Sequence, residues 1–408
     1  MDEARFVIAG GGMVAGYAAR ELVELGLKPG ELAIVSADTS LPYERPPLSK
    51  GFLAGKETEA SVRINPQDFY RQHGIEVRLD SEITGVDPER KRILLRSGGA
   101  FAFDRLIVAT GARARTLEVP GAALRNVYYL RSLDDSKAIR QRAADARRAV
   151  VAGGGFIGME VAAVLAQEGI EVTMVLREDR IWKQFFSPRM SRFFEDYYAG
   201  RGVRFVRETA IAELRGADEV RTAVLANRQA IECDMVVAGI GVVPETAMLN
   251  ASGVELENGI QVNEYLETGR PGILAAGDVA NYQDTVFGGR RRVEHWDNAV
   301  SQGRYCAHAL MGERKPFHHV PYFFSDVFDL SYEFWGDPSG AEQLIHRGDL
   351  SSDSFSVWWL RRQRLVAAFA MNRPGDEREA APKWIESGQR VPSAALEDAS
   401  HPLAASFA

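Results

Sequence analysis

The chain has 408 residues, a formal net charge of −7 at pH 7 and 46% hydrophobic content. That length implies two or three domains, each able to bury its own core, and the acidic balance argues against a general nucleic-acid or membrane-surface binder. Met1-Asp2-Glu3-Ala4-Arg5 enters an apolar run with no basic n-region or secretory h-region, and no stretch nears the roughly 20 apolar residues of a membrane helix, so the expected location is cytoplasmic.

In chain order, Arg5-Phe6-Val7-Ile8-Ala9 reads as a strand ending in Gly10-x-Gly12-x-x-Ala15. Helical spacing of Tyr17, Ala18, Leu22 and Leu25 follows, and then a second strand, Leu32–Val35. Arg105–Ala109 is a buried-strand run closed by Thr110-Gly111. The opening pattern then recurs. Ala149–Ala152 leads into Gly153-x-Gly155-Phe156-Ile157-Gly158, helical spacing at Val161, Val164 and Leu165, and the strand Val172–Leu176. These are two βαβ units. Met235–Gly239 and Gly272–Asp278 are further strand-and-turn runs. From Pro321 the texture changes to aromatics and alternating strands, as at Phe355, Val357 and Trp359, which predicts a separate α+β domain. The stretch after Arg390 is weakly patterned and is expected to be a loosely packed tail.

Each glycine turn suits a dinucleotide. The first glycine permits the tight turn, and the second lets the backbone approach a pyrophosphate. The third, small position lets helix pack on strand, and the helix N-terminus faces the phosphates. Asp38, just past the second strand, is expected to bind ribose hydroxyls; the bland reading is an Asp-x-Ser turn. In the second unit, Leu176 stands where an acid is commonest. Glu178 follows, favouring the free 2′-hydroxyl of NADH, whereas Arg177 and Arg180 would suit the 2′-phosphate of NADPH. Two such units imply two nucleotides, naturally FAD and NAD(P)H; the alternative is one site and one decayed copy. Cys233 and Cys306 lack Cys-x-x-Cys partners, so no CxxC redox centre is expected.

Leu41-Pro42-Tyr43-Glu44-Arg45-Pro46-Pro47-Leu48-Ser49-Lys50 resembles a segment of FAD-dependent ferredoxin reductases, shared by apoptosis-inducing factor and plant monodehydroascorbate reductase. The resemblance continues through Ala109-Thr110-Gly111 with Arg115, Gly153 to Glu160, Gly239-Ile240-Gly241-Val242-Val243-Pro244, Ala276-Gly277-Asp278, Val293–Trp296 and Pro321–Asp326. It implies an α/β, glutathione-reductase-like fold with two Rossmann-type dinucleotide-binding domains and an α+β C-terminal interface domain. The implied boundaries are 1–115 and 247–320 for FAD, 116–246 for NAD(P), and 321–408 for the interface domain.

The resemblance also implies roles. Lys50 would lie near flavin N5, paired with Glu160, its ammonium stabilising reduced flavin. Without it, Lys50 would read as a solvated loop lysine and Glu160 as a helix N-terminal acid. Arg45 and Arg115 would meet the FAD pyrophosphate, Asp278 the ribityl hydroxyls, and the helix begun by Trp296 the pyrimidine carbonyl. Thr110, Gly111, Ile157 and Gly241 lie in the matching cofactor segments. Tyr322 and Phe324 would line the flavin edge. No cysteine occupies 46–50, so electrons would leave the flavin directly. His318-His319 has no ligand set at metal spacing, and no metal is expected. Arg290-Arg291-Arg292 reads either as a solvated loop or as a docking patch for an acidic carrier.

The expected activity is transfer from NADH through FAD to a one-electron acceptor, a ferredoxin or rubredoxin, with no nucleic-acid or membrane partner. A monodehydroascorbate-reductase-like enzyme is the alternative, resembled at Val172–Val175 and Phe328–Asp337. Against it, this chain lacks that pattern's Arg near Val300 and Tyr near Phe324. An alternative of another class is a redox-responsive scaffold like apoptosis-inducing factor.

Overall fold

In the computed structural model, which describes residues 2–183, 185–399 and 403, both glycine-turn units are formed. The contacts divide the chain into two units. The first is Met1–Arg45, Thr58–Arg113 and Val243–Pro321; the second is Pro46–Glu57, Ala114–Val242 and Tyr322–Ala408.

The first unit is built on a seven-stranded sheet. Asp2–Ala9 lies between Leu32–Val35 and Ala100–Val108, parallel to both, with Val7 opposite Ala33 and Leu106. Ile273–Ala275 adds in parallel to Ala100–Val108. Phe6 to Ala9 are buried without alternation, as strands covered on both faces must be. The helix Met13–Glu24 packs against the helix Trp296–Leu310 closely enough that a Cβ on Gly303 would lie 2.9 Å from the Val14 carbonyl oxygen.

The second unit contains a five-stranded parallel sheet in the order Arg204–Val206, Glu171–Val175, Arg148–Ala152, Met235–Ala238 and Val127–Tyr128. The helix Phe156–Gln167 follows its glycine turn. Residues Tyr322–Met371 form a five-stranded antiparallel sheet, and its first strand, Tyr322–Val327, meets that helix through Phe156 and Phe323, whose rings lie 4.5 Å apart. Pro46–Glu57 clusters here: Ser136 Oγ donates to the Leu48 carbonyl at 2.7 Å and Arg140 to that of Phe52 at 3.2 Å.

The stretch after Arg390 differs from expectation. Val391 and Leu396 are buried, and residues Ser393–Glu397 form a short helix. Buried Arg347 ion-pairs with Glu377 at 2.7 Å and donates to the carbonyls of Ala395, Leu396 and Asp398. The anchor is a single arginine far back in the chain, which local patterning does not reveal.

Candidate active site

The two glycine turns share one geometry. Gly10 and Gly153 have φ of +120° and +105°, and a Cβ on either would come 2.2 Å from a carbonyl oxygen, of Ala109 and of Gly239 respectively. Only glycine fits there. Gly12 and Gly155 are different. A Cβ on Gly12 would meet nothing nearer than the Arg45 guanidinium at 3.8 Å, and on Gly155 nothing within 4 Å. Both are helix N-caps, and no side chain caps the first amides of either helix from that position. The donor chemistry at both turns, free of a Cβ at Gly12 and Gly155, fits a dinucleotide pyrophosphate.

In the first unit, Ala15 is fully buried against the sheet. Arg45 lies beside Gly12 and over the Tyr43 ring. The Asp38 carboxylate accepts from the Ser40 amide at 3.0 Å and the Tyr43 hydroxyl at 2.9 Å, so the Asp-x-Ser turn is present. Thr110 Oγ1 donates to the Glu245 carbonyl at 2.6 Å, and Gly111 has φ of +68°. Asp278 lies in a 3-10 turn whose Gly277 amide is held by Gln302 at 2.7 Å. Trp296 opens its helix as expected, and its indole Nε1–H donates to Glu44 at 2.5 Å. Glu44 also accepts the Tyr17 hydroxyl at 2.5 Å.

In the second unit, Lys50 and Glu160 are brought together, Nζ to Oε1 at 3.3 Å, both largely buried. The Lys50 ammonium lies 4.8 Å from the Phe324 ring centroid. Two hydroxyls complete the cluster: Ser325 Oγ reaches Glu160 Oε1 at 2.5 Å, and Ser49 Oγ reaches Oε2. Gly158 packs on the Gly153 carbonyl, and Ile157 beside it is 40% exposed, unusual for an isoleucine. Arg115 lies against Gly241, its amide donating to the Gly241 carbonyl at 2.9 Å. Glu178 is exposed.

Glu44, Ser49 and Ser325 were not singled out from the sequence. Each acts through a partner 27 to 252 residues away, and only their positions inside the resembling segments 41–50 and 321–326 hinted at them.

The arginine triplet is not a free loop: Arg290–Arg291 form a short strand. Arg290 donates to the carbonyls of Val262 and Asn281, Arg291 pairs with buried Asp284, and Arg292 pairs with Glu294 and donates to the Asp278 carbonyl. All three guanidiniums are engaged within their own unit.

A family model described as pyridine nucleotide-disulphide oxidoreductase matches residues 4–303, and one described as reductase C-terminal matches 322–407. The chain belongs to the pyridine nucleotide-disulphide oxidoreductase family. It is an FAD flavoprotein oxidoreductase that works with NAD(P)H. It is 36% identical to peroxisomal monodehydroascorbate reductase 4 of Arabidopsis thaliana, over 93% of this chain and 81% of that protein. It is 36% identical to the 5,5'-dehydrodivanillate O-demethylase ferredoxin reductase subunit of Sphingobium sp. strain NBRC 103272 / SYK-6, over 97% of each. Among solved structures, it resembles a ferredoxin reductase from Rhodopseudomonas palustris with a TM-score of 0.94 and 34% identity over 100% of both chains. It matches a covalent putidaredoxin reductase–putidaredoxin complex at 0.94 and 32%, over 99% of this chain and 97% of that one.

In a family named for a disulphide, this chain has no cysteine near Lys50. Cys233 and Cys306 are both buried and unpaired, and burial pushes their thiols up to about 11 and about 12. Both stay protonated at neutral pH, which makes them poor nucleophiles.

Among the described residues, no helix is long and apolar enough to cross a membrane.

Proposed function

We propose that this chain is a reductase that takes a hydride from NADH and delivers electrons singly to a small iron-sulfur carrier of the ferredoxin type. The observation that carries the reading is the buried Lys50–Glu160 pair in the segment where a thiol relay would need its cysteines. With no cysteine at 46–50 and no Cys-x-x-Cys pair in the sequence, no thiol relay stands beside Lys50 and electrons leave by the flavin itself. The likeness to a ferredoxin reductase subunit and to a reductase–putidaredoxin complex supports this acceptor class.

When bound, the flavin supplies the conversion from two-electron to one-electron chemistry. The protein binds, orients and charges. The open helix end at Gly12, with Arg45, takes the FAD pyrophosphate; Gly10 and Ala15 allow the approach. Asp38 accepts from a ribose hydroxyl on its free lone pairs, and Asp278 accepts from the ribityl chain. Thr110, Gly111 and Arg115 belong to the same set, and the Trp296 helix directs its N-terminus at the pyrimidine carbonyl. Gly153, Gly155 and Gly158 hold the nicotinamide dinucleotide, with Ile157 and Gly241 at its surface and Glu178 favouring NADH. Lys50 sets a positive charge beside flavin N5, and Glu160 keeps that ammonium oriented. The corresponding domains are 1–115 with 247–320 for FAD, 116–246 for NAD(P), and 321–408 as interface domain.

A second reading, reduction of a small organic radical, is favoured by the relatives named monodehydroascorbate reductase. Stopped-flow mixing separates the two. Holoenzyme reduced by NADH should be reoxidised rapidly by a ferredoxin. Reoxidation only by a quinone, oxygen or a small radical would refute the iron-sulfur acceptor.

A further inference from the structure

Glu160 is held by more than its lysine. Ser325 Oγ meets Oε1, the oxygen that Lys50 also contacts, and Ser49 Oγ meets Oε2. Both serines are essentially inaccessible to water, and Glu160 is 6% exposed. Each carboxylate oxygen therefore has a hydroxyl partner supplied by the protein. Hydrogen bonds from buried hydroxyls satisfy both oxygens of a carboxylate that water does not reach.

The three donors come from two separate places. Ser49 and Lys50 are adjacent in a tight loop whose 3-10 turn is Pro46–Ser49. Glu160 sits one turn into the helix Phe156–Gln167, and Ser325 lies mid-strand, opposite Tyr332. Each serine pins Glu160 to a different element, so the carboxylate has little freedom to follow the flexible lysine. The lysine must come to it.

We infer that Ser49 and Ser325 are positioning residues for electron transfer, holding the Glu160 carboxylate in one place so that the Lys50 ammonium is aimed. This rests on the reading of Lys50 as the group beside the flavin. Their effect on Lys50 runs through Glu160, which separates it from the local bond that Ser49 Oγ also makes to the Pro46 carbonyl at 3.4 Å. Removing a hydroxyl leaves the nicotinamide site untouched, so the effect falls on the rate of flavin reduction rather than on saturation by NADH.

The test is a double-mutant cycle on the FAD-loaded enzyme, read as the stopped-flow rate of flavin reduction by NADH. Ser325→Ala and Ser49→Ala should each slow the limiting rate by about tenfold, the loss expected for a hydrogen bond to a charged group, with half-saturation by NADH unchanged. Ser325→Thr and Ser49→Thr, which keep the hydroxyl, should recover most of it. In a Glu160→Gln background the serine substitutions should add less than about twofold. Equal losses in both backgrounds, or full-speed alanine variants beside a slow Glu160→Gln, would overturn the inference and leave the pair standing. A Glu160→Gln enzyme reduced as fast as the parent would overturn the pair itself, and the serines with it. Should Ser325→Ala not fold, the Ser49 arm of the cycle decides between the same outcomes alone.

Discussion

The indole Nε1–H of Trp296 donates to the carboxylate of Glu44 at 2.5 Å, tying the residue before Arg45 to the first turn of the helix Trp296–Leu310. The same carboxylate takes the Tyr17 hydroxyl, and burial together with Glu44 pushes that phenol well above its usual range. Glu44→Ala removes the carboxylate that both donors share, a loss of about 1–3 kcal/mol. Denaturant unfolding of the holoenzyme should show a lowered midpoint and FAD dissociation should quicken, whereas Glu44→Gln, which keeps an acceptor, should do less.

The glycine turns divide structural from binding glycines. Gly153→Ala puts a Cβ 2.2 Å from the Gly239 carbonyl oxygen at φ +105°, so it should destabilise or fail to fold. Gly155→Ala meets nothing within 4 Å at φ −82° and should fold with an unchanged melting temperature. Its Cβ instead enters the space proposed for the pyrophosphate, so KM for NADH should rise about tenfold or more. A normal KM would remove the second turn from the binding site.

His295 makes stability depend on pH. Burial pushes its imidazole down from 6.5 to about 4, outweighing Asp278 and Asp297. The unfolded chain takes up this proton near 6.5, and the folded chain only near 4. The contribution is thus complete above pH 6.5 and is lost as pH falls from 6.5 to 4. Its slope is on the order of 1 kcal/mol per pH unit. His295→Gln should flatten that part of the profile when unfolding midpoints are compared at pH 5 and pH 7, and an identical slope would refute the assignment.

Arg347 is the anchor of the C-terminal stretch. Glu377 keeps Arg373 and Ser356 if Arg347 is replaced, but the carbonyls of Ala395, Leu396 and Asp398 lose their donor. Arg347→Met should therefore expose 391–398 to hydrogen exchange and proteolysis. Glu377→Ala removes the carboxylate that pairs with buried Arg347 and with half-buried Arg373, and should cost more, about 3–5 kcal/mol in urea unfolding.

What the sequence made legible follows from distance along the chain. The glycine turns are local: strand, turn and helix lie within about 20 residues, and positive φ at Gly10 and Gly153 writes itself as glycine. Lys50 and Glu160 are 110 positions apart, and only the resemblance joined them. Ser325 enters through the antiparallel C-terminal sheet, whose register no local pattern discloses. The charge of the arginine triplet was legible, whereas its acceptors within the unit, the carbonyls of Val262, Asn281 and Asp278, were not.

The central claim is that the flavin is the only redox store and empties outward past Lys50 without a thiol relay. An anaerobic reductive titration of the purified holoenzyme tests it most directly. A flavin-only store predicts complete bleaching at about two electrons per flavin, with the free-thiol count unchanged before and after reduction. Uptake of about four electrons per flavin, with thiols appearing on reduction, would reveal a second, disulphide store and contradict it.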